Sequence, residues 1–77
     1  MFPGLLIYII YENPKDYPGK FVAKRDIIGE FGSFMRDPDW IMVEKDYEVI
    51  RKEMLRLGLT WMQRHMGDDH TIKETWI

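Results

Sequence analysis

The chain has no cysteine. Disulfide staples and thiolate zinc sites are thereby excluded together. A compact fold has to come from apolar packing or from self-association, and the absence fits a reducing cytoplasm. A surplus of positive charge is missing too. Residues 1–38 carry five basic and five acidic side chains, residues 39–77 carry six and eight, and the formal net charge is -2. Phosphate binding draws much of its affinity from counterion release by Lys and Arg, so direct nucleic-acid binding is disfavoured. The apolar run Leu5 to Tyr11 is far shorter than the ~20 residues that span a bilayer. It also lacks the basic lead and small-residue cleavage site of a signal peptide. The expectation is a soluble cytoplasmic protein without membrane contact.

Serine occurs once, at Ser33, in a glycine-flanked stretch without a nucleophile-elbow pattern. Nucleophilic catalysis is therefore not expected. The carboxylate pairs Asp37/Asp39 and Asp68/Asp69 read as solvated loop and turn residues, not as acid–base machinery. Gly29-Glu30-Phe31-Gly32 has the spacing of a small RNA-binding clamp, but Glu30 has the wrong charge to face phosphate. No enzymatic activity and no cofactor are expected.

What is present is globular in balance: 45% apolar and 31% charged residues exclude a disordered chain. Seventy-seven residues make a single domain, 1–77, that buries only roughly 60% of its unfolded surface. Leu5 to Tyr11, rich in β-branched and aromatic residues, predicts a central strand covered on both faces. Glu12 to Gly19 is too long for a tight hairpin. In it Pro14 should hold Asn13 extended, and Tyr17-Pro18-Gly19-Lys20 suits a type II turn. Phe21 to Ile28 is the returning strand, with Phe21, Ala23, Arg25 and Ile27 toward the core.

Gly29 to Pro38 reads as loop and Asp39 to Val43 as a short third strand. A helix then follows, with Tyr47, Ile50, Met54 and Leu57 on its apolar side. Asp46 is its cap and Gly58 its left-handed terminus. Leu59 to Arg64 is expected as a fourth strand, Met66 to His70 as a turn, and Thr71 to Ile77 as the last strand. The last strand should have Ile72, Glu74 and Trp76 on one face. The predicted fold is α+β, an antiparallel sheet of four to five strands with one amphipathic helix packed on one face.

Arg25 and Glu74 each fall among apolar neighbours, and a buried guanidinium needs a carboxylate, so the two are predicted to form a structural ion pair. Trp61 and Trp76 are assigned to the core. Trp40 and the loop residue Tyr17 are the aromatics expected to be partly exposed, as interface anchors. His65, Asp68, Asp69 and His70 offer nitrogen and oxygen donors of the kind zinc or nickel accepts, although polar residues also simply suit a turn.

Tyr8-Ile9-Ile10-Tyr11-Glu12-Asn13-Pro14, Asp16-Tyr17-Pro18-Gly19-Lys20-Phe21-Val22 and Arg25 resemble the opening of a family of short uncharacterised proteins found in bacteria and tailed phages. Asp68-Asp69 and Ile72-Lys73-Glu74-Thr75-Trp76-Ile77 are similar to that family's ending, although its members often carry proline where this chain has His70. Gly29 to Asp39 has no counterpart in the resemblance. The resemblance implies a phage or prophage setting and no particular activity. The functional expectation is a non-enzymatic protein-binding module, an accessory or anti-defence factor such as an anti-CRISPR-like inhibitor, that blocks a host or bacterial protein. Its candidate contacts are Tyr17, Lys20, Trp40, Asp68 and Asp69. The alternatives are a metal-binding protein or metal-dependent enzyme using His65/Asp68/Asp69/His70, and a structural protein that self-associates, for instance as a homodimer.

Overall fold

The computed structural model describes residues 4–29, 32–62 and 71–77. Its elements in chain order are β1 (Leu5–Glu12), β2 (Phe21–Ile28), β3 (Phe34–Glu44), α1 (Tyr47–Arg56), β4 (Trp61–Met62) and β5 (Ile72–Trp76). The fold is α+β. The strands form one antiparallel sheet in the order β3-β2-β1-β5-β4. Three strands run as a meander to one edge. The helix then leads the chain back to the other edge, and β5 returns between β4 and β1. That crossing lays α1 on one face of the sheet.

The helix begins where Asp46 accepts a hydrogen bond from the Glu48 N–H at 3.0 Å, satisfying a first-turn donor. It ends at Gly58, whose φ of +78° suits the left-handed position after the cap. Ile50 and Met54, four residues apart, are fully buried against Tyr8, Ile10, Ala23 and Trp76. Each such side chain contributes roughly 1.5–3 kcal/mol when withdrawn from water. Leu57, expected on the same stripe, is the C-cap and is exposed.

β1 is central in the sheet, as its apolar run predicts, but it is covered on one face and not on two. Tyr8 and Ile10 lie under the helix. Among the described residues no helix packs on the opposite face, where Val22 is fully buried, Ile7, Ile9, Tyr11 and Ile72 are half-buried and Ile41 is exposed. Continuous hydrophobicity in β1 therefore does not mean two covering layers.

The stretch expected as loop and short strand is largely one long edge strand, β3. Its pairing with β2 jumps from Asp26↔Arg36 to Lys24↔Ile41, which sets four residues, Asp37 to Trp40, opposite the single Arg25. Pro38, which has no N–H to give a ladder, sits inside that bulge on an edge strand, where proline is tolerated. At the other edge β4 begins at Trp61, two residues later than expected: Leu59 packs on the core before the strand begins, and residues 63–70 lie outside the described structure. A second irregularity in β1–β5 pairs Tyr11 with Ile72 and Ile10 with Glu74. It sends Ile72 to the open face, away from Glu74 and Trp76.

Candidate functional site

The connection between β1 and β2 is locked by its own hydrogen bonds. The Asn13 N–H donates to the Lys20 carbonyl at 2.8 Å, and the Gly19 N–H donates to Asn13 Oδ1 at 2.7 Å. The Tyr17 N–H donates to the Pro14 carbonyl, and the Lys20 N–H donates back to the Tyr17 carbonyl. Gly19 has φ +76°, in keeping with the type II turn that Pro18-Gly19 predicts. Asn13 is not extended as Pro14 led one to expect. Its φ is +53°, a left-handed conformation that Asn tolerates, and there its side chain closes the loop.

This loop walls one end of the open sheet face and forms an open concavity of about 670 Å³. Tyr11 of β1, Lys24 of β2 and Thr71 line it from the sheet side, with Asn13, Pro14, Lys15 and Pro18 from the loop. The Lys24 ammonium lies 5.5 Å from the Tyr11 ring centroid, within cation–π range. Arg36 of β3 approaches the same ring at 5.9 Å and donates to the Tyr11 hydroxyl at 3.0 Å, while its guanidinium also holds Asp26. Hydrogen bonding to Asp26 raises the Arg36 pKa above its ordinary value, against a smaller opposing effect of burial. Tyr11 is thus fixed in place by charged neighbours on two strands.

A smaller concavity of about 190 Å³ lies at the β3 bulge, lined by Lys24, Arg36, Asp37, Pro38, Trp40 and Ile41. Behind it Arg25 is enclosed on three sides. Its Nε donates to Asp37 Oδ2 at 2.9 Å, Nη2 makes an ion pair with the same oxygen, and the guanidinium lies 5.9 Å from Tyr8 and 5.8 Å from Trp40. Contacts to Tyr8 and Asp37 raise the Arg25 pKa, and Arg25 with the Asp39 N–H lowers that of Asp37. Asp37 is therefore not the solvated loop carboxylate expected. The predicted Arg25–Glu74 pair does not form: β3 flanks β2 and supplies the carboxylate first.

Glu74 is satisfied instead by neutral donors. Its Oε1 accepts from the Tyr47 hydroxyl and from Trp76 Nε1 at 2.8 Å, and its Oε2 accepts from Trp61 Nε1 at 3.1 Å. Trp76 is buried as predicted, but Trp61 is 52% exposed and only its indole N–H reaches inward. The Lys73 ammonium covers the Tyr47 ring at 5.0 Å and the Phe21 ring at 5.9 Å.

The expected contact residues are not gathered into one patch. Tyr17 and Lys20 are half-buried in the loop, outside the lining of the large concavity. Trp40 is partly exposed, but it packs edge-on against Tyr8 at 5.0 Å, and Tyr8 is ~13 Å along β1 from the loop. Asp68 and Asp69 lie outside the described residues, as do His65 and His70 of the metal alternative. Among the described residues no group of three or more potential ligands could hold a metal ion. No known family model, curated protein or solved structure matches the chain. Sequence reasoning missed Tyr11, Lys15 and Lys24. Strand alternation, which sets Lys24 opposite the core side of β2, was the available signal.

Proposed function

We propose that this chain is a non-enzymatic protein-binding module that acts by occupying the surface of a partner. One observation carries the reading: the helix covers a single face of the sheet, and the other face presents half-buried aliphatic side chains beside a rigid loop. Ile7, Ile9, Ile41 and Ile72 give that face an apolar centre, and Tyr11 with its cationic neighbours gives it a polar end. Apolar surface rimmed by polar groups is the usual composition of a protein interface. No described helix is long and apolar enough to cross a membrane. The setting implied by the resemblance, a cytoplasmic phage or prophage accessory or anti-defence factor, makes steric blockade of a host or bacterial protein the mode of action.

Affinity capture from bacterial lysate tests the proposal, with folding of each variant checked by circular dichroism. Wild type and the helix variant Lys52→Glu should retain the same protein in stoichiometric amount, and Ile41→Glu and Tyr11→Ala should lose it. Retention of nothing, or of the same proteins by all four, would overturn the reading.

A second reading, self-association, has its own observation: Phe34 and Met35 are 70% and 68% exposed on the outer strand β3. Light scattering decides it, because a concentration-independent monomer of 9.3 kDa removes it.

A further inference from the structure

We propose that the concavity between the β1–β2 loop and the open sheet face binds an extended, carboxylate-bearing peptide segment of the partner. The proposal rests on the protein-binding reading and specifies the chemistry of what is bound. Its first support is charge. The chain as a whole is at -2, yet among the described residues the lining of this concavity contains Lys15 and Lys24 and no carboxylate. Among the described residues neither lysine belongs to an ion pair, whereas Arg25, Arg36 and Arg56 each do. Among the described residues, two lysines therefore line one space without a carboxylate in ion-pair contact with either.

The second support is shape and apolar character. The Tyr11 ring and the rings of Pro14 and Pro18 line the same space, and its volume of about 670 Å³ lies in the range of ligand sites. Aromatic and prolyl surfaces suit an extended chain, whose alternate side chains can reach the floor while the others meet the lysines. The loop's internal hydrogen bonds hold the wall in place before binding, so little ordering cost falls on association.

A nucleic-acid strand is the less suitable polyanion. Two uncompensated cations would release few counterions, and the flanking surface is aliphatic. Carboxylates spaced along an otherwise apolar peptide match the number of cations and the surface between them. The partner is thus expected to offer an acidic, exposed, extended segment.

Fluorescence anisotropy tests this with short synthetic peptides that alternate glutamate with valine and proline. Their glutamine and lysine counterparts and an oligothymidylate of equal length complete the set. The glutamate peptide should bind at least about tenfold tighter than the others, and more weakly as salt is added. Lys15→Glu, on the exposed loop, and Lys24→Glu should each weaken it about tenfold, and Lys52→Glu should not change it. Failure of the glutamate peptide to bind, equal binding of the glutamine peptide, or tighter binding of the oligothymidylate would each overturn the proposal. If Lys15→Glu and Lys24→Glu still capture the lysate partner that Ile41→Glu loses, the peptide proposal falls and the protein-binding reading stands. If the peptide binds but no lysate protein is captured, the reverse holds.

Discussion

The Trp61 indole N–H donates to Oε2 of Glu74 at 3.1 Å, joining an exposed residue at the rim of the sheet to a carboxylate in its core. Tyr47 and Trp76 occupy the other oxygen. A carboxylate predicted to pair with Arg25 is thus satisfied by three neutral donors contributed by the helix and the last two strands.

This arrangement separates two substitutions at Glu74. Glu74→Leu strands all three donors and should lower stability by about 2–4 kcal/mol, read by urea denaturation. Glu74→Gln can keep its oxygen toward Tyr47 and Trp76, but its NH₂ then faces the Trp61 N–H. The expected cost is about 1 kcal/mol, with faster hydrogen exchange at the Thr60 and Ile77 amides, which pair with each other across the rim.

Acid should act through Asp37. Its pKa is lowered in the folded protein by Arg25 and by the Asp39 N–H, so the unfolded chain takes up the proton first. The resulting stability is complete above the unfolded value of ~3.9 and is lost as pH falls through the lower folded value. Asp37→Asn should start with a lower Tm at neutral pH and then lose less of it below about pH 4. Glu53, lowered by Arg56, gives the same sign in both proteins, so the difference in slope isolates Asp37.

Alkali should act through Tyr47. Burial, and then its bond to Glu74, raise the phenol pKa well above the usual tyrosine range. The stability this provides is complete below the unfolded value of ~10 and is lost as pH rises through the folded value. Tyr47→Phe should cost about 1 kcal/mol at neutral pH and flatten the loss of Tm above about pH 10.

Asn13 sets the loop wall. Asn13→Ala forfeits the bond to the Gly19 N–H and forces alanine toward φ +53°, for a loss of about 2 kcal/mol. Asn13→Gly keeps the conformation and should lose about 1 kcal/mol. Hydrogen exchange at Gly19 should quicken in both, and both should bind the glutamate peptide more weakly than wild type.

Much of the scaffold was legible because its determinants are local. The β-branched run of β1, the Pro18-Gly19 turn, the Asp46 cap and Gly58 each state their conformation within a few residues. What escaped depends on neighbours that local spacing does not name. Arg25 was matched to Glu74 because Asp37 read as a solvated loop residue. Only the strand order, with β3 beside β2, decides for Asp37 over Glu74. Pro38 read as a loop residue, but an edge strand with a wide bulge can hold it. Trp61 was assigned to the core, whereas its place on the outermost strand leaves it about half exposed. The concavity was harder still to foresee, since it needs the loop, β1, β2 and Thr71, just before β5, together.

The bulge of β3 also bears on edge-to-edge pairing between copies of this chain. An uninterrupted outer strand of eleven residues, with Phe34 and Met35 exposed at its start, would be a template for edge-to-edge growth into fibrils. Pro38 and Asp39 break that template with a missing N–H and an exposed charge. The segment that anchors Arg25 inward also interrupts the outer edge of the sheet.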